Sequence, residues 1–245
     1  MKIITWNCNT HPSVNSSEKA VKSFAEKIKI INHLDFDILI LQEIARPEFE
    51  KLPQQVWYAE DGVFSRGIGI LTKSNYHVEL DPDFSPTCSS LPLKVNGEKS
   101  FNLLALWSHP PIKRPSLKQY VEEIELQIET LKPFLESAPS VIVGDFNSNS
   151  RWDKSAGKQH NHTKLVTILE NEFGLKSCYH SYSQEQQGNE AKFTLFQNYK
   201  IEKSFHIDYC FVPNNWQIID VQIGNYDFWV KSRLSDHCPL TVEID

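Results

Sequence analysis

The stretch "SVIVGDFNSNSRW", residues 140–152, decides the fold class of this chain. Its apolar run "VIV" stops at Gly144, and Asp145 and Asn147 come directly after it. A short β-branched run of this kind predicts a buried strand. Because Asp and Asn also favour turns, Asp145 alone could be an ordinary turn residue. Whether this strand carries chemistry at its end depends on which residues stand at the ends of the other strands.

Similar short apolar runs recur along the whole chain. They predict further strands over residues 2–6, 37–43, 67–72, 76–80, 100–107, 205–212, 216–223 and 239–244. The runs 67–72 and 76–80 read as two strands around the turn "KSN". Many strands with few helices predict an α/β protein with packed sheets and helices outside.

Three segments have apolar residues at helical spacing. They predict helices over residues 18–33, 117–132 and 163–172, and Pro133 should kink or end the second one. The irregular segments 81–99 and 180–192 read as loops of the same domain. At this length, we expect one domain over residues 1–245.

The composition is that of an ordinary globular protein, with 40% hydrophobic and 23% charged residues. No apolar run approaches the ~18 residues of a membrane span, so no membrane partner is expected. The formal net charge of −6 argues mildly against indiscriminate binding to nucleic acid. Five cysteines without a C-x-x-C pair, and no visible signal peptide, predict reduced thiols and a cytoplasmic location.

Polar side chains of a restricted kind lie at or near the ends of the predicted strands: Asn7, Glu43, His109, Asp145, Asn147, Asp208, Asp236 and His237. Carboxylates and carboxamides are hard oxygen ligands that suit Mg²⁺ or Mn²⁺. Histidine suits acid–base work or charge stabilisation. The sequence has no G-x-S-x-G elbow and no glycine-rich phosphate loop. This set of residues therefore favours metal-assisted phosphodiester hydrolysis.

Six short elements occur in order along the chain: "TWNCN", "LQE", "WSHPP", "GDFNSN", "HIDYCFV" and "SDHCPL". In this combination and order the sequence resembles the endonuclease/exonuclease/phosphatase superfamily, which includes exonuclease-III-like repair enzymes, deoxyribonucleases, sphingomyelinases and inositol polyphosphate phosphatases. The resemblance covers the whole chain. It implies a four-layer α/β sandwich, in which two packed mixed β-sheets are flanked by helices, and an Mg²⁺-dependent site.

The resemblance also implies roles for individual residues at the metal. Glu43 in "LQE" resembles the principal Mg²⁺ ligand, and Asn7 in "TWN" resembles a partner near the metal and the scissile phosphate. Asp236 in "SDH" resembles a further carboxylate of the metal site. Glu43 could instead be a helix-start charge.

For the reaction itself, Asp145 resembles the residue that orients or deprotonates the attacking water, and Asn147 a donor to the phosphate. His237 resembles the catalytic histidine at the phosphate, and Asp208 the carboxylate that orients it. His109 matches a histidine of the deoxyribonuclease and sphingomyelinase branches, where exonuclease-III-like enzymes commonly have a tyrosine. His109 could also belong to a rigid His-Pro-Pro loop, and Asp208 could be a buried residue bonded to backbone.

Residues that could bind the substrate are less clearly marked. His206 would share a strand face with Asp208, either as a site histidine or as a core one. Arg151 opens a basic segment over residues 151–164 that resembles a rim for a polyanion, or is simply a solvated loop. Trp152 and Trp229 could stack on a base or fill the core.

The favoured hypothesis is a monomeric Mg²⁺-dependent nuclease acting on DNA. A phosphatase or phosphodiesterase acting on a small phosphorylated molecule, a lipid head group or RNA is the alternative. A catalytically silent binding module is a third interpretation. The presence of every expected ligand-type residue, Asn7 and Glu43 included, speaks against the silent module.

Overall fold

The computed structural model describes residues 1–10, 18–53, 56–58, 66–73, 75–110 and 114–245, with only the backbone described for 18–24. The strands within these ranges are β1 (Lys2–Asn7), β2 (Ile38–Ala45), β3 (Val56–Tyr58), β4 (Arg66–Thr72), β5 (His77–Leu80), β6 (Ser90–Asn96), β7 (Phe101–Trp107), β8 (Ser140–Asp145), β9 (Leu175–Ser177), β10 (Leu195–Phe196), β11 (Ser204–Phe205), β12 (Asp208–Pro213), β13 (Ile218–Ile223) and β14 (Leu240–Ile244).

The strands form two large sheets and one small ribbon. In the described part of the chain, the first sheet has the order β13-β14-β1-β2-β4-β3 and the second has the order β5-β6-β7-β8-β12-β9. Strands β10 and β11 form the ribbon by pairing with each other. Within each large sheet one pair is parallel, β1 with β2 and β7 with β8, and the other pairs are antiparallel. Both sheets are therefore mixed.

Alternation along each central strand divides its side chains between two apolar layers. Ile3 of β1 and Val141 and Val143 of β8 enter one shared core, which lies between the two sheets. Their neighbours Ile4 and Ile142 point the other way, into two separate outer cores. Because successive side chains of a strand face opposite sides, a run that is apolar at every position buries both faces of its sheet.

Helices cover the two outer faces. They are α1 (Glu18–His33), α2 (Arg46–Phe49), α3 (Leu117–Thr130), α4 (Lys132–Ser137), α5 (Asp153–Ala156) and α6 (His162–Phe173), whereas α7 (Cys178–Ser183) packs Cys178 and Tyr179 into the core between the sheets. Ile31 of α1 and Phe49 of α2 pack on the first sheet, while Val121 of α3 and Leu165 of α6 pack on the second. This is the four-layer α/β sandwich that the sequence predicted.

The helix predictions at 18–33, 117–132 and 163–172 are confirmed within two residues at each end. Pro133 lies in the first turn of α4, where its missing N–H has no intrahelical partner to lose, so α3 ends before it. No described helix has both the length and the apolar composition that crossing a bilayer requires.

The interpretation of 67–72 and 76–80 as two strands around one turn is wrong in its pairing. Strand β4 already has β2 on one edge and β3 on the other, so β5 cannot pair with it. Strand β5 instead joins the second sheet, where His77 lies opposite Asn96 of β6. The chain therefore crosses from one sheet to the other after β4.

Two other boundaries differ from the sequence prediction. The segment 81–99 contains β6, in which Pro92 faces Leu104 and accepts a hydrogen bond from the Asp81 N–H through its carbonyl oxygen. The predicted strand 205–212 is interrupted, because the N–H groups of Ile207 and Asp208 both donate to Thr194 Oγ1 at 3.0 Å. Asp208 consequently begins strand β12 rather than lying in its middle.

Gly144 allows the two central strands of the second sheet to come close at the site. Its φ is +146°, a left-handed value that side chains rarely tolerate, and a Cβ there would lie 1.9 Å from the Leu106 carbonyl oxygen. The glycine that ends the apolar run is thus required by the backbone of β7, and it places Asp145 beside the end of that strand.

Candidate active site

The parallel strand pairs bring the polar strand ends of both sheets together. Asn7 ends β1, Asp145 ends β8, and Glu43 lies in the irregular part of β2, where its φ is 52° and the pairing with β4 shifts register. The Asn7 amide Nδ2 donates to Glu43 Oε1 at 3.2 Å and to Asp145 Oδ2 at 2.9 Å. One carboxamide therefore connects a carboxylate of each sheet.

Asp145 has no exposed surface and is held by donors from its own loop. The Asn147 N–H donates to Asp145 Oδ1 at 2.8 Å, and Asn147 Nδ2 donates to Asp145 Oδ2 at 3.3 Å and to the Ser108 carbonyl at 3.0 Å. Asn147 adopts a left-handed φ of 46° to do this, which Asn tolerates better than most residues. In this structure Asn147 positions Asp145; its predicted contact with a phosphate stays a prediction.

Asp208 and His237 form a buried pair next to Asp145. His237 Nδ1 donates to Asp208 Oδ2 at 2.9 Å, so Nε2 is the ring nitrogen that can contact a substrate. Ser235 fixes the backbone here, because its Oγ accepts from the His237 N–H at 3.0 Å and donates to the Asn7 carbonyl at 2.7 Å. This contact is the one that an orienting role of Asp208 requires, and the role itself stays a prediction.

Asp208 changes the proton affinity of its two buried neighbours. Burial, together with the neighbouring charge of Asp208, raises the pKa of Asp145 to about 7. Burial alone would lower the pKa of His237, but its attraction to Asp208 and the hydrogen bond outweigh this and raise that pKa to about 10. The site thus holds a carboxylate that is more basic than usual beside an imidazolium.

The donor set has the chemistry of a site for a hard cation. Ligand atoms of Asp145, Asp208 and His237 all lie within 4.8 Å of one another. Asp208 Oδ1 is buried and, among the described residues, has no hydrogen-bond partner, as expected of an oxygen that coordinates a cation. Asp236 lies at the edge of this site, where it accepts from Asn9 Nδ2 at 2.6 Å. The compact group of three is distinct from the predicted metal set of Asn7, Glu43 and Asp236.

On the other side of Glu43 lies a residue that the sequence analysis missed. Arg66, the first residue of β4, forms an ion pair with Glu43 Oε2. The two residues meet because β4 pairs with β2, with Arg66 directly opposite Ala45. The only signal in the sequence was an arginine at the start of a predicted strand, and nothing local connects it to Glu43.

His109 lies on this same side of the site. Its ring stacks on Trp107, with 4.6 Å between ring centroids and an angle of 4°. Burial lowers the pKa of His109, and the positive charge of Arg66 lowers it further, while Glu43 acts in the opposite direction. The histidine is therefore positioned near the metal-ligand candidate Glu43, and its catalytic role stays a prediction.

The charges of the site act on two tyrosines that the sequence did not mark. Burial and the charges of Asp145 and Glu43 raise the pKa of Tyr120, and burial and the charge of Asp236 raise that of Tyr199. The Arg233 guanidinium lies 4.3 Å from the Tyr199 ring centroid. Helix α3 and the loop after β10 supply the two rings, so only the tertiary structure could identify them.

The assignment of His206 to substrate binding is corrected by the structure. His206 has no exposed surface and lies in a separate buried cluster, with ring centroids 4.4 Å from Tyr179 and 5.6 Å from His180. The break before Asp208 turns its side chain away from the site, where Nδ1 donates to the Lys192 carbonyl at 3.3 Å. Because its ring is packed among Tyr179, His180 and Tyr209, His206 is a core residue, which was one of its two predicted roles.

This buried cluster predicts a measurable dependence of stability on pH. Burial first, and the neighbouring His180, lower the pKa of His162 to about 4 and of His206 to about 3. Below pH 6.5 both histidines become protonated in the unfolded chain but stay neutral in the folded protein. The free energy of unfolding therefore falls as the pH falls toward 4. Between pH 6.5 and 5.5 each histidine should cost about 1 kcal/mol of unfolding free energy.

The measurement is urea denaturation at both pH values. The variant His162→Gln removes one titrating ring and should lose about 1 kcal/mol less than the wild-type protein over this interval. His77→Gln, at an exposed position, is the control and should behave like the wild type. An identical loss in His162→Gln and wild type would contradict the predicted pKa of His162.

The basic segment that was predicted as a rim for a polyanion begins with an arginine next to an aromatic ring. Arg151 is exposed, and its guanidinium lies 5.5 Å from the Phe205 ring centroid; Trp152 lies 4.6 Å from the same ring. Both rings are half-buried, and the contact of this segment with a substrate stays a prediction. Trp229, in contrast, is 7% exposed and packs on Trp6, so it fills the core, which was one of its two predicted roles.

Comparison with known proteins places these features in a family context. Residues 4–237 match the model of the Endonuclease/Exonuclease/phosphatase family. No curated protein sequence matches the chain significantly.

Solved structures share its fold over nearly their whole lengths. The 3′ phosphatase NExo from Neisseria, bound to a product DNA hairpin, superposes with a TM-score of 0.68 at 19% identity, covering 100% of this chain and 99% of that one. A humanized TDP2 from D. rerio gives a TM-score of 0.68 at 14% identity, covering 100% and 98%. A mannosyl-6-phosphatase from Bacteroides thetaiotaomicron gives 0.64 at 16%, covering 100% and 99%. At these identities the likeness establishes the fold and leaves the substrate open.

Proposed function

Because the chain belongs to the Endonuclease/Exonuclease/phosphatase family, we propose that it is an Mg²⁺-dependent phosphodiester hydrolase that acts as a nuclease on DNA. The observation that carries this proposal is the connected site at the strand ends. There Asn7 links Glu43 to Asp145, and Asp145 lies beside the Asp208–His237 pair. Phosphoester hydrolysis is the chemistry that unites the family.

Two groups of residues fit a divalent cation in this proposal. Glu43 and Asn7, with Asp236 nearby, are one candidate set, and the carboxylates of Asp145 and Asp208 are the other; His237 lies beside them but, as an imidazolium, does not coordinate a cation. Oxygen donors predominate in both, which favours Mg²⁺ or Mn²⁺. When bound, such a cation neutralises charge on the phosphate oxygens.

The protein's own groups then divide the reaction between them. Asp145, with its raised pKa, accepts a proton from the attacking water more readily than an ordinary aspartate would. His237, held as an imidazolium by Asp208, stabilises the negative charge that builds on the phosphoryl oxygens through Nε2. Asn7 and Asn147 hold the Asp145 carboxylate in place during both steps.

DNA is proposed as the substrate on the strength of the rim. The exposed Arg151 can contact a phosphate, and the half-buried rings of Trp152 and Phe205 offer a ledge for a base. A local rim of this kind is compatible with the net charge of −6, because it acts only next to the site. Residues 1–245 are proposed to form one catalytic domain that works as a monomer. Five free cysteines favour a reducing cytoplasm.

Incubation of the purified chain with alternative phosphate esters tests the proposal. Labelled single-stranded, duplex and abasic-site DNA, RNA and a small phosphate monoester are each offered with Mg²⁺, with Mn²⁺ or with EDTA. We expect DNA cleavage with either metal and none with EDTA. Turnover of the small ester alone would identify a phosphatase, and no turnover of any compound would favour a silent binding module.

A further inference from the structure

Arg66 is paired with the carboxylate of Glu43, which is the expected ligand of the metal. Glu43 has both oxygens engaged, since Oε1 accepts from Asn7 Nδ2 at 3.2 Å and Oε2 is paired with the Arg66 guanidinium. The Arg66 and Glu43 side chains are 24% and 19% exposed, so the pair is largely shielded from solvent. A shielded pair of this kind is stronger than one on the surface.

A divalent cation and a guanidinium cannot both approach one carboxylate oxygen closely. Their mutual repulsion grows as 1/r and is little screened in a shielded site. Glu43 itself has little freedom to move, because Asn7 holds its other oxygen and its backbone lies within β2. Arg66 has a long flexible side chain at the first residue of β4, so it is the partner that yields.

A released Arg66 would remain inside the site. Its backbone is fixed opposite Ala45, two residues from Glu43, by the pairing of β4 with β2, and its charge also acts on His109. A guanidinium presents several N–H donors in a planar fork that matches phosphate oxygens. A substrate phosphate brought to Glu43 through a metal would lie within the neighbourhood that Arg66 already occupies.

We propose that Arg66 is an exchange residue: it pairs with Glu43 before metal binding, and it transfers to a non-bridging oxygen of the substrate phosphate when a divalent cation takes Glu43. This inference rests on the proposed function, since it needs a phosphate ester at the site. It makes metal and substrate binding interdependent, because the metal both uses Glu43 and frees the arginine. It also gives the chain a positioning residue outside the six sequence elements.

Metal binding without substrate is the first test. Mn²⁺ is titrated calorimetrically into the full chain and into Arg66→Ala. Removal of the competing cation should tighten Mn²⁺ binding about tenfold. If Arg66 only held Glu43 in place for the metal, its removal would instead weaken Mn²⁺ binding. Unchanged or weaker Mn²⁺ binding in Arg66→Ala would overturn the proposal. This readout requires no turnover, so it stands apart from the nuclease assay.

Substrate binding with and without metal is the second test. Anisotropy of a labelled DNA oligonucleotide is measured in the Asp145→Asn background, which leaves Arg66 and Glu43 in place. With Mn²⁺, Arg66→Ala should weaken DNA binding about tenfold or more; with EDTA it should change binding by less than about twofold. An equal loss under both conditions would make Arg66 an ordinary phosphate contact and would also overturn the exchange.

Two further variants separate charge from geometry. Arg66→Lys keeps the charge but loses the fork, so Mn²⁺ affinity should stay near wild type while DNA binding falls. Arg46→Ala removes the same charge at an exposed position paired with Glu50, and should change neither affinity. If Arg66→Ala does not fold, both binding measurements are made with Arg66→Gln instead. Absence of DNA binding by the wild-type chain would count against the DNA proposal, while the Mn²⁺ titration would still decide the role of Arg66.

Discussion

Replacement of Asp145 by asparagine should lower kcat for phosphodiester hydrolysis by about three orders of magnitude, while the fold is retained. An asparagine has nearly the same shape, but its single oxygen can accept only one of the two shortest hydrogen bonds of Asp145, which come from the Asn147 N–H and from Asn7 Nδ2 to different oxygens. It cannot accept the proton of the attacking water. Since the pKa of Asp145 is raised to about 7, the wild-type group is a better base than an exposed aspartate would be.

The measurement is steady-state kinetics with Mg²⁺ on the best substrate found, together with urea denaturation of both proteins. Removal of a buried charge that Asp208 repels should offset much of the cost of the lost hydrogen bond, so the free energy of unfolding should change by no more than about 2 kcal/mol. Asp81→Asn is the matched control, because Asp81 is also a buried aspartate but pairs with Lys94 away from the site. Asp81→Asn should affect stability and leave kcat near wild type. Near-normal kcat in Asp145→Asn would refute the assignment of the base.

The second large effect is expected from Asp208→Asn. His237 keeps a hydrogen-bond partner in this variant but loses the negative charge that holds it as an imidazolium. By analogy with other histidine–carboxylate pairs, kcat should fall by about 10³- to 10⁴-fold. The remaining rate should also acquire a new dependence on pH.

The sign of this dependence is set by the pKa of His237. In the wild-type protein that pKa is raised to about 10, so the imidazolium persists through neutral pH and is lost only as the pH approaches 10. Without Asp208, burial acts against less attraction, so the pKa of His237 should fall below its wild-type value. The rate of Asp208→Asn should therefore decline with rising pH at a lower pH than the rate of the wild-type enzyme, which keeps its imidazolium through neutral pH.

Glu190→Gln provides the matched control for Asp208→Asn. Glu190 is also a buried carboxylate paired with a histidine, with Oε1 at 3.2 Å from His180 Nε2, and it lies outside the active site. Its loss should lower stability but leave the pH dependence of kcat as in wild type. If Asp208→Asn kept the wild-type pH profile, Asp208 would not be what holds the proton on His237.

The exchange proposed for Arg66 connects these two predictions to the first step of the reaction. Asp145 and His237 lie on one side of Asn7, whereas Glu43, Arg66 and His109 lie on the other. A metal that binds Glu43 would displace Arg66 before Asp145 and His237 act on the substrate. For this reason the Arg66 variants should alter binding constants more than they alter the protonation of His237.

The sequence by itself determined which strands are buried on both faces and which residue types stand at their ends. A run such as Val141 to Val143 is apolar at every position, so both sides of its strand must be covered, and this requirement leads to two sheets with helices outside. The order of the six elements placed Asn7, Glu43, Asp145, Asp208 and His237 at strand ends in the same way. Local pattern is enough here, because burial and alternation are properties of single strands.

Only the tertiary structure decided the pairings that turn these residues into a site. Strand β5 joins the second sheet because both edges of β4 are already paired. The pattern of a single strand does not indicate which edges of other strands are paired. The same pairing of β4 with β2 brings Arg66 to Glu43 across 23 positions of the chain. His206 lies outside the site because the backbone N–H groups of the next two residues turn toward Thr194. Contacts between distant segments depend on how whole elements pack, and for this reason motifs could mark Asp145 and His237 as candidate site residues but could not mark the arginine beside Glu43.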